Sequence, residues 1–152
     1  MKKILKTAFK ILIPVILLLP ILTYVGIMIA NNCIADSVKK QLAAYPLPQD
    51  TQLIDSVSMA EKLTGNGNGM QYLGAILVKS DLTKEELLQY YTDALGNITV
   101  YEQTTNTIDS MKRTIVFKAL PDDGAYYSVL LWGNEDFDGW VDELLDFDIR
   151  GH

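Results

Sequence analysis

Residues 70–96 read MQYLGAILVKSDLTKEELLQYYTDALG, and this stretch decides the fold class. Its first half is apolar on both sets of alternate positions: Tyr72, Ile76 and Val78 against Leu73, Ala75 and Leu77. A strand apolar on both faces belongs in the centre of a sheet. The second half switches to helical spacing. Thr83 stands at the N-cap and Glu86 three residues later, which is a capping box, with Leu82 and Leu87 as a hydrophobic staple around it. Leu87, Tyr91, Ala94 and Leu95 recur on one helical face, and Gly96 supplies the C-terminal cap with positive φ.

Working outward, residues 51–64 (TQLIDSVSMAEKLT) place Leu53, Val57, Met59 and Leu63 on alternate positions, which predicts a strand. GNGNG at 65–69 is a turn, because glycine and asparagine tolerate positive φ. A phosphate cradle would need a helix N-terminus behind those glycines, and a strand follows them instead. Beyond Gly96, three further strands are predicted: ITVYEQ (98–103), MKRTIVFKAL (111–120) and AYYSVLLWG (125–133). PDDG at 121–124 turns the chain between the last two. WVDELLDF (140–147) reads as a short helix or an irregular covering segment. The order β-β-α-β-β-β predicts an α+β domain: one antiparallel sheet with one long helix packed on a face.

The run TGNGNGMQYLGAILVKSDLTKEELLQYY (64–91) resembles a stretch found in small, uncharacterised single-pass membrane-anchored proteins of Gram-positive bacteria. That group carries no assigned activity. The resemblance implies a membrane localisation and transfers no functional residues.

Residues 11–30, ILIPVILLLPILTYVGIMIA, carry no charge over twenty positions. As a helix of ~1.5 Å per residue they extend about 30 Å, the thickness of a bilayer's hydrocarbon core. Pro14 and Pro20 are tolerated in membrane spans. Lys2, Lys3, Lys6 and Lys10 precede the apolar run and only Lys39 and Lys40 closely follow it. This bias predicts a cytoplasmic N-terminus and an extracytoplasmic remainder. A cleaved signal peptide is the competing reading. Its apolar core would be shorter, and cleavage after Ala30 or Ala35 would set Met28 or Cys33 where a small residue is wanted. The expected organisation is therefore a basic stub and transmembrane anchor (1–30), a helical extension and Pro-containing linker (31–50), and an exported acidic domain (51–152). In the extension, Ile34, Val38, Leu42 and Tyr45 share a stripe, and Pro46 and Pro48 end it.

Charge and composition exclude several functions. Beyond residue 30 lie nine basic and nineteen acidic side chains, a formal −10. No cluster of Lys and Arg is available to neutralise phosphate, which argues against nucleic acid, and the acidic sign argues against the folded part lying flat on an anionic membrane surface. Cys33 is the sole cysteine, so no intrachain disulfide or Cys-based zinc cluster can form. His152, the sole histidine, is the last residue, which leaves no Ser–His or Cys–His arrangement.

The richest polar stretch is GNEDFDGWVDELLDFD (133–148). Asn134, Asp136, Asp138 and Asp142 fall at oxygen-ligand places of an EF-hand-like loop and are the candidate metal ligands. The template fails at its twelfth place, where Leu145 replaces the bidentate Glu, and AYYSVLLW reads as a strand where an incoming helix is needed. The alternative is a solvated loop with Asp138 capping a helical turn. Carboxylate pairs such as Asp122 with Asp123, or Asp136 with Asp138, could serve hydrolysis only with a cleft and one raised pKa. Tyr126, Tyr127 and Trp140 are the candidate partner-binding residues, since adjacent strand tyrosines point to opposite faces and one should face out. The sequence thus favours a membrane-tethered binding or accessory domain for a protein partner, with no cofactor and no catalytic constellation. A calcium-responsive module and a carboxylate hydrolase are the alternatives.

Overall fold

The computed structural model describes residues 2–109, 112–119, 121–133 and 139–152, with backbone alone for 2–9 and 11. One helix, α1 (Lys2–Ala44), runs unbroken through Pro14 and Pro20. Strands β1 (Thr51–Glu61) and β2 (Gln71–Ser80) follow, then helix α2 (Lys84–Leu95) and strand β3 (Ile98–Gln103). Two short strands, β4 (Thr107–Ile108) and β5 (Ile115–Val116), precede β6 (Tyr126–Trp132). Helix α3 (Trp140–Leu145) and a 3-10 turn (Ile149–Gly151) come last.

The main sheet has four strands in the order β1-β2-β6-β3, every neighbouring pair antiparallel. Strands β2 and β3 both oppose β6 and so run parallel to each other. With α2 between them they form a βαβ crossover into which β6 is inserted. The α+β class expected from the sequence is present: a long apolar helix, then an antiparallel sheet with helices on it.

Strand β2 is central, and its two apolar sets divide as read. Tyr72, Ile76 and Val78 pack with Leu87 and Tyr91 of α2 and with Val100, Val129 and Leu131. Leu73, Ala75 and Leu77 face the opposite side, with Ile108, Ile115, Phe117 and Leu130. Helix α2 also keeps its expected caps. Thr83 accepts from the Glu86 N–H, Glu86 accepts from the Thr83 N–H at 2.8 Å, and Gly96 ends the helix at φ 80°. Ala94, expected on the buried face, is exposed, and Tyr90 is the half-buried neighbour of Tyr91 instead.

Two expectations are corrected. Residues 112–119 do not form a long strand of the main sheet; among these described residues only Ile115–Val116 is a strand, paired with Thr107–Ile108. The reason is that β6 already has β2 on one edge and β3 on the other. The segment therefore crosses the sheet's second face, where Ile115 and Phe117 are buried while Val116 is exposed. Asp55 of β1 fixes this crossing, accepting from the N–H groups of Lys118 (2.6 Å) and Ala119 (3.1 Å).

The second correction concerns residues 31–45, expected as a helical extension ahead of the domain: they are helical to Ala44, but they pack in the domain's core. Ala35, Val38 and Leu42 are buried in the same cluster as Ile76 and Val78. The helix lies so close to β2 that a Cβ on Gly74 would stand 2.5 Å from Lys39 N. Only glycine permits that approach of two backbones. The prolines do not free the chain either. Tyr45 stacks edge-on with Tyr90 at 5.6 Å, the Tyr90 hydroxyl donates to Pro46 O at 3.1 Å, and Pro48 is buried.

Candidate functional site

Among the described side chains of α1 the buried ones are Ile27, Asn31, Ala35, Val38 and Leu42, one stripe at helical spacing with a single polar member. Asn31 is fully buried, so its amide must be satisfied within the protein. It donates to Leu145 O and to Asp148 Oδ2, both at 3.1 Å, and its Oδ1 accepts from the Tyr72 hydroxyl at 2.8 Å. Asp148, also fully buried, is paired with Arg150, whose Nη2 lies 2.6 Å from Oδ2. Arg150 reaches onward to α1, donating to Asn32 Oδ1 at 2.8 Å and to Met28 O at 3.4 Å. The backbone joins the same junction: Lys62 N–H donates to Arg150 O and Gly69 N–H to Gly151 O.

The C-terminal segment is thus strapped to α1 where the apolar run of 11–30 ends. The Arg150 guanidinium, and then Asn31, hold the Asp148 carboxyl at about 2, against the upward push of its burial. A carboxylate locked in this way stays ionised near neutral pH and binds elements together; it does not carry protons. No motif in the sequence announces this junction. Its one signal is an asparagine on an otherwise apolar stripe.

The residues singled out from sequence are distributed differently. Asn134, Asp136 and Asp138 lie outside the described residues. Asp142 is exposed in the first turn of α3. Leu145, at the twelfth place of the calcium template, is buried, and the element entering the loop is strand β6. Helix α3 has Gly139 at its N-cap, and the cap expected of Asp138 falls outside the described residues. Among the described residues, no three His, Cys, Asp or Glu side chains are grouped to hold a metal ion.

Tyr126 and Tyr127 do point to opposite faces, but both are buried. Tyr126 packs under the crossing segment and Tyr127 under the helices, because the sheet is covered on both sides. Neither offers the outward ring that partner binding at these positions requires. Trp140 does: it is 71% exposed.

The open hollows are shallow. One of about 370 Å³ is lined by Asp50, Thr51, Gln52, Lys79, Ser80 and Asp81. Its Lys79 is paired with Asp122 at 2.9 Å, and its Thr51 and Ser80 hydroxyls bond to each other at 2.6 Å. Asp122, one of the acids considered for hydrolysis, accepts from the Tyr126 hydroxyl and from Lys79, which lower its pKa. Asp55 is lowered as well: burial raises it, but the N–H groups of Ala119, Ser56 and Lys118 outweigh that. Glu86 is lowered by its cap bonds to Thr83. These shifts run opposite to the one a general acid needs.

Compared with protein-family models, with curated proteins and with solved structures, the chain matches none.

Proposed function

We propose that the chain is a membrane-tethered extracytoplasmic binding or accessory domain that does no chemistry of its own. One observation carries this reading. Helix α1 is a single rod whose first half exposes an apolar surface (Leu12 to Leu22, 51–67% for its large side chains) and whose second half is the domain's core. Such a rod is long and apolar enough to cross a membrane. It would hold the domain at a fixed height and orientation on the bilayer, as suits a protein that presents a surface to a partner there. The carboxylates held low support the absence of acid–base catalysis, and the basic residues ahead of the apolar run support a cytoplasmic N-terminus.

Cys33 provides the test, since it is the sole cysteine and is exposed just past the apolar run. A membrane-impermeant maleimide added to intact cells should label it, and the labelled chain should stay in membranes through an alkaline wash. Labelling only after permeabilisation would invert the orientation. A shortened, labelled chain in the medium would mean that the apolar run is a cleaved signal.

A further inference from the structure

We infer that the edge formed by Trp140, Leu144, Phe147 and Ile149 seats in the headgroup region of the same bilayer that α1 crosses. This inference rests on the membrane-anchored reading above. In the C-terminal segment Leu145, Asp148 and Gly151 are buried at every third position and hold the segment to the domain. Trp140, Phe147 and Ile149 are 71%, 70% and 72% exposed, and Leu144 37%. An apolar edge of this composition, facing water, marks a surface that something covers.

Its position along α1 indicates what covers it. Asp148 bonds to Asn31, and Arg150 to Asn32 and to the Met28 carbonyl, so the residues flanking Phe147 and Ile149 are fixed to the last turn of the apolar run and the turn beyond it. Ile27, inside that run, is only 7% exposed, so the domain already reaches down onto the span. The Phe147–Ile149 end of the edge therefore stands at the level where the span leaves the hydrocarbon, and Trp140 and Leu144 belong to the short helix just before it. Tryptophan and phenylalanine favour that level, an indole because its ring is apolar and its N–H stays near polar headgroups. The contact is made by apolar burial. With Asp142 and Glu143 beside it on α3, attraction to anionic lipid is not its source.

The experiment uses the full chain in phosphatidylcholine vesicles, with and without acyl chains brominated near the headgroup. Subtracting the emission of Trp140→Phe from that of the parent isolates Trp140 and leaves Trp132 untouched. The expected result is Trp140 emission shifted to the blue and quenched by the bromines. Emission typical of water, unquenched, in a chain that floats with the vesicles overturns this inference while leaving the anchor intact. A blue shift that ignores bromine and disappears when the chain is diluted in lipid would assign the edge to a second copy, also overturning it. A chain that fails to float with the vesicles removes the anchor and this inference together.

Discussion

Two buried polar side chains respond to substitution in opposite ways. Tyr91 is fully buried, burial pushes its hydroxyl up to about 12, and that hydroxyl finds no hydrogen-bond partner among the described residues. Tyr91→Phe removes an unsatisfied donor at almost no cost in packing, so it should leave stability unchanged or raise it by about 1 kcal/mol. Asp148→Ala should instead cost about 3 kcal/mol, because it strips Arg150 and Asn31 of a shared acceptor. Denaturant midpoints of the two variants decide this, and equal losses would mean that neither environment is as described. The same carboxylate sets an acid limit. Its pKa is about 2 in the folded protein against an ordinary 3.8, so the folded state binds fewer protons than the unfolded state between these values. The contribution is whole above the ordinary value and fades as pH falls towards about 2. Parent and Asp148→Asn should therefore converge in stability as pH is lowered from 5 towards about 2, the lower end of that window. Little of this could be read from sequence, since an Asp two residues from an Arg near a terminus is ordinarily solvated. Only the buried neighbour contributed by α1 makes it a junction.

The contrast between α2 and α1 shows why some elements can be read and others cannot. Helix α2 is specified by local signals (Thr83, Glu86 and Gly96), and each acts within four residues of its partner. Thr83→Ala should accordingly cost about 1 kcal/mol. The second half of α1 is specified by distant ones. The stripe of Ile34, Val38, Leu42 and Tyr45 is legible in the sequence, but the two prolines after it read as a linker, and the strands it packs on, β1 and β2, come only after them. Gly74 held the missing signal: a glycine in the middle of a central strand commonly marks a close backbone neighbour. Gly74→Ala should cost about 2 kcal/mol by forcing α1 away from β2. An unchanged melting temperature would mean that the helix does not lie on that strand. Residues 111–120 failed for the complementary reason. Ile115 and Phe117 are buried on one face as alternate residues of a strand would be, yet an apolar run cannot say whether β6 has a free edge to receive it.

The whole molecule is a sheet with its lid of helices, and one of those helices also carries the apolar run long enough to cross a membrane. Reading the domain as residues 51–152 would then leave out part of its core. Without α1, the face of β2 bearing Tyr72, Ile76 and Val78 would lose the cover of Ala35, Val38 and Leu42 and keep only that of Leu87 and Tyr91 from α2. Burying a side chain of that size is worth about 1.5–3 kcal/mol, so uncovering several exceeds the stability of an ordinary small domain. A fragment of residues 51–152 should therefore aggregate or melt without a cooperative transition. A fragment of residues 27–152, which keeps the packed half of α1 and drops most of the apolar run, should be soluble and melt cooperatively. It would also keep Asn31, and with it the strap to Asp148. Differential scanning calorimetry of the two fragments checks this directly. If residues 51–152 alone melt with the same midpoint and enthalpy as residues 27–152, then α1 is a tether after all.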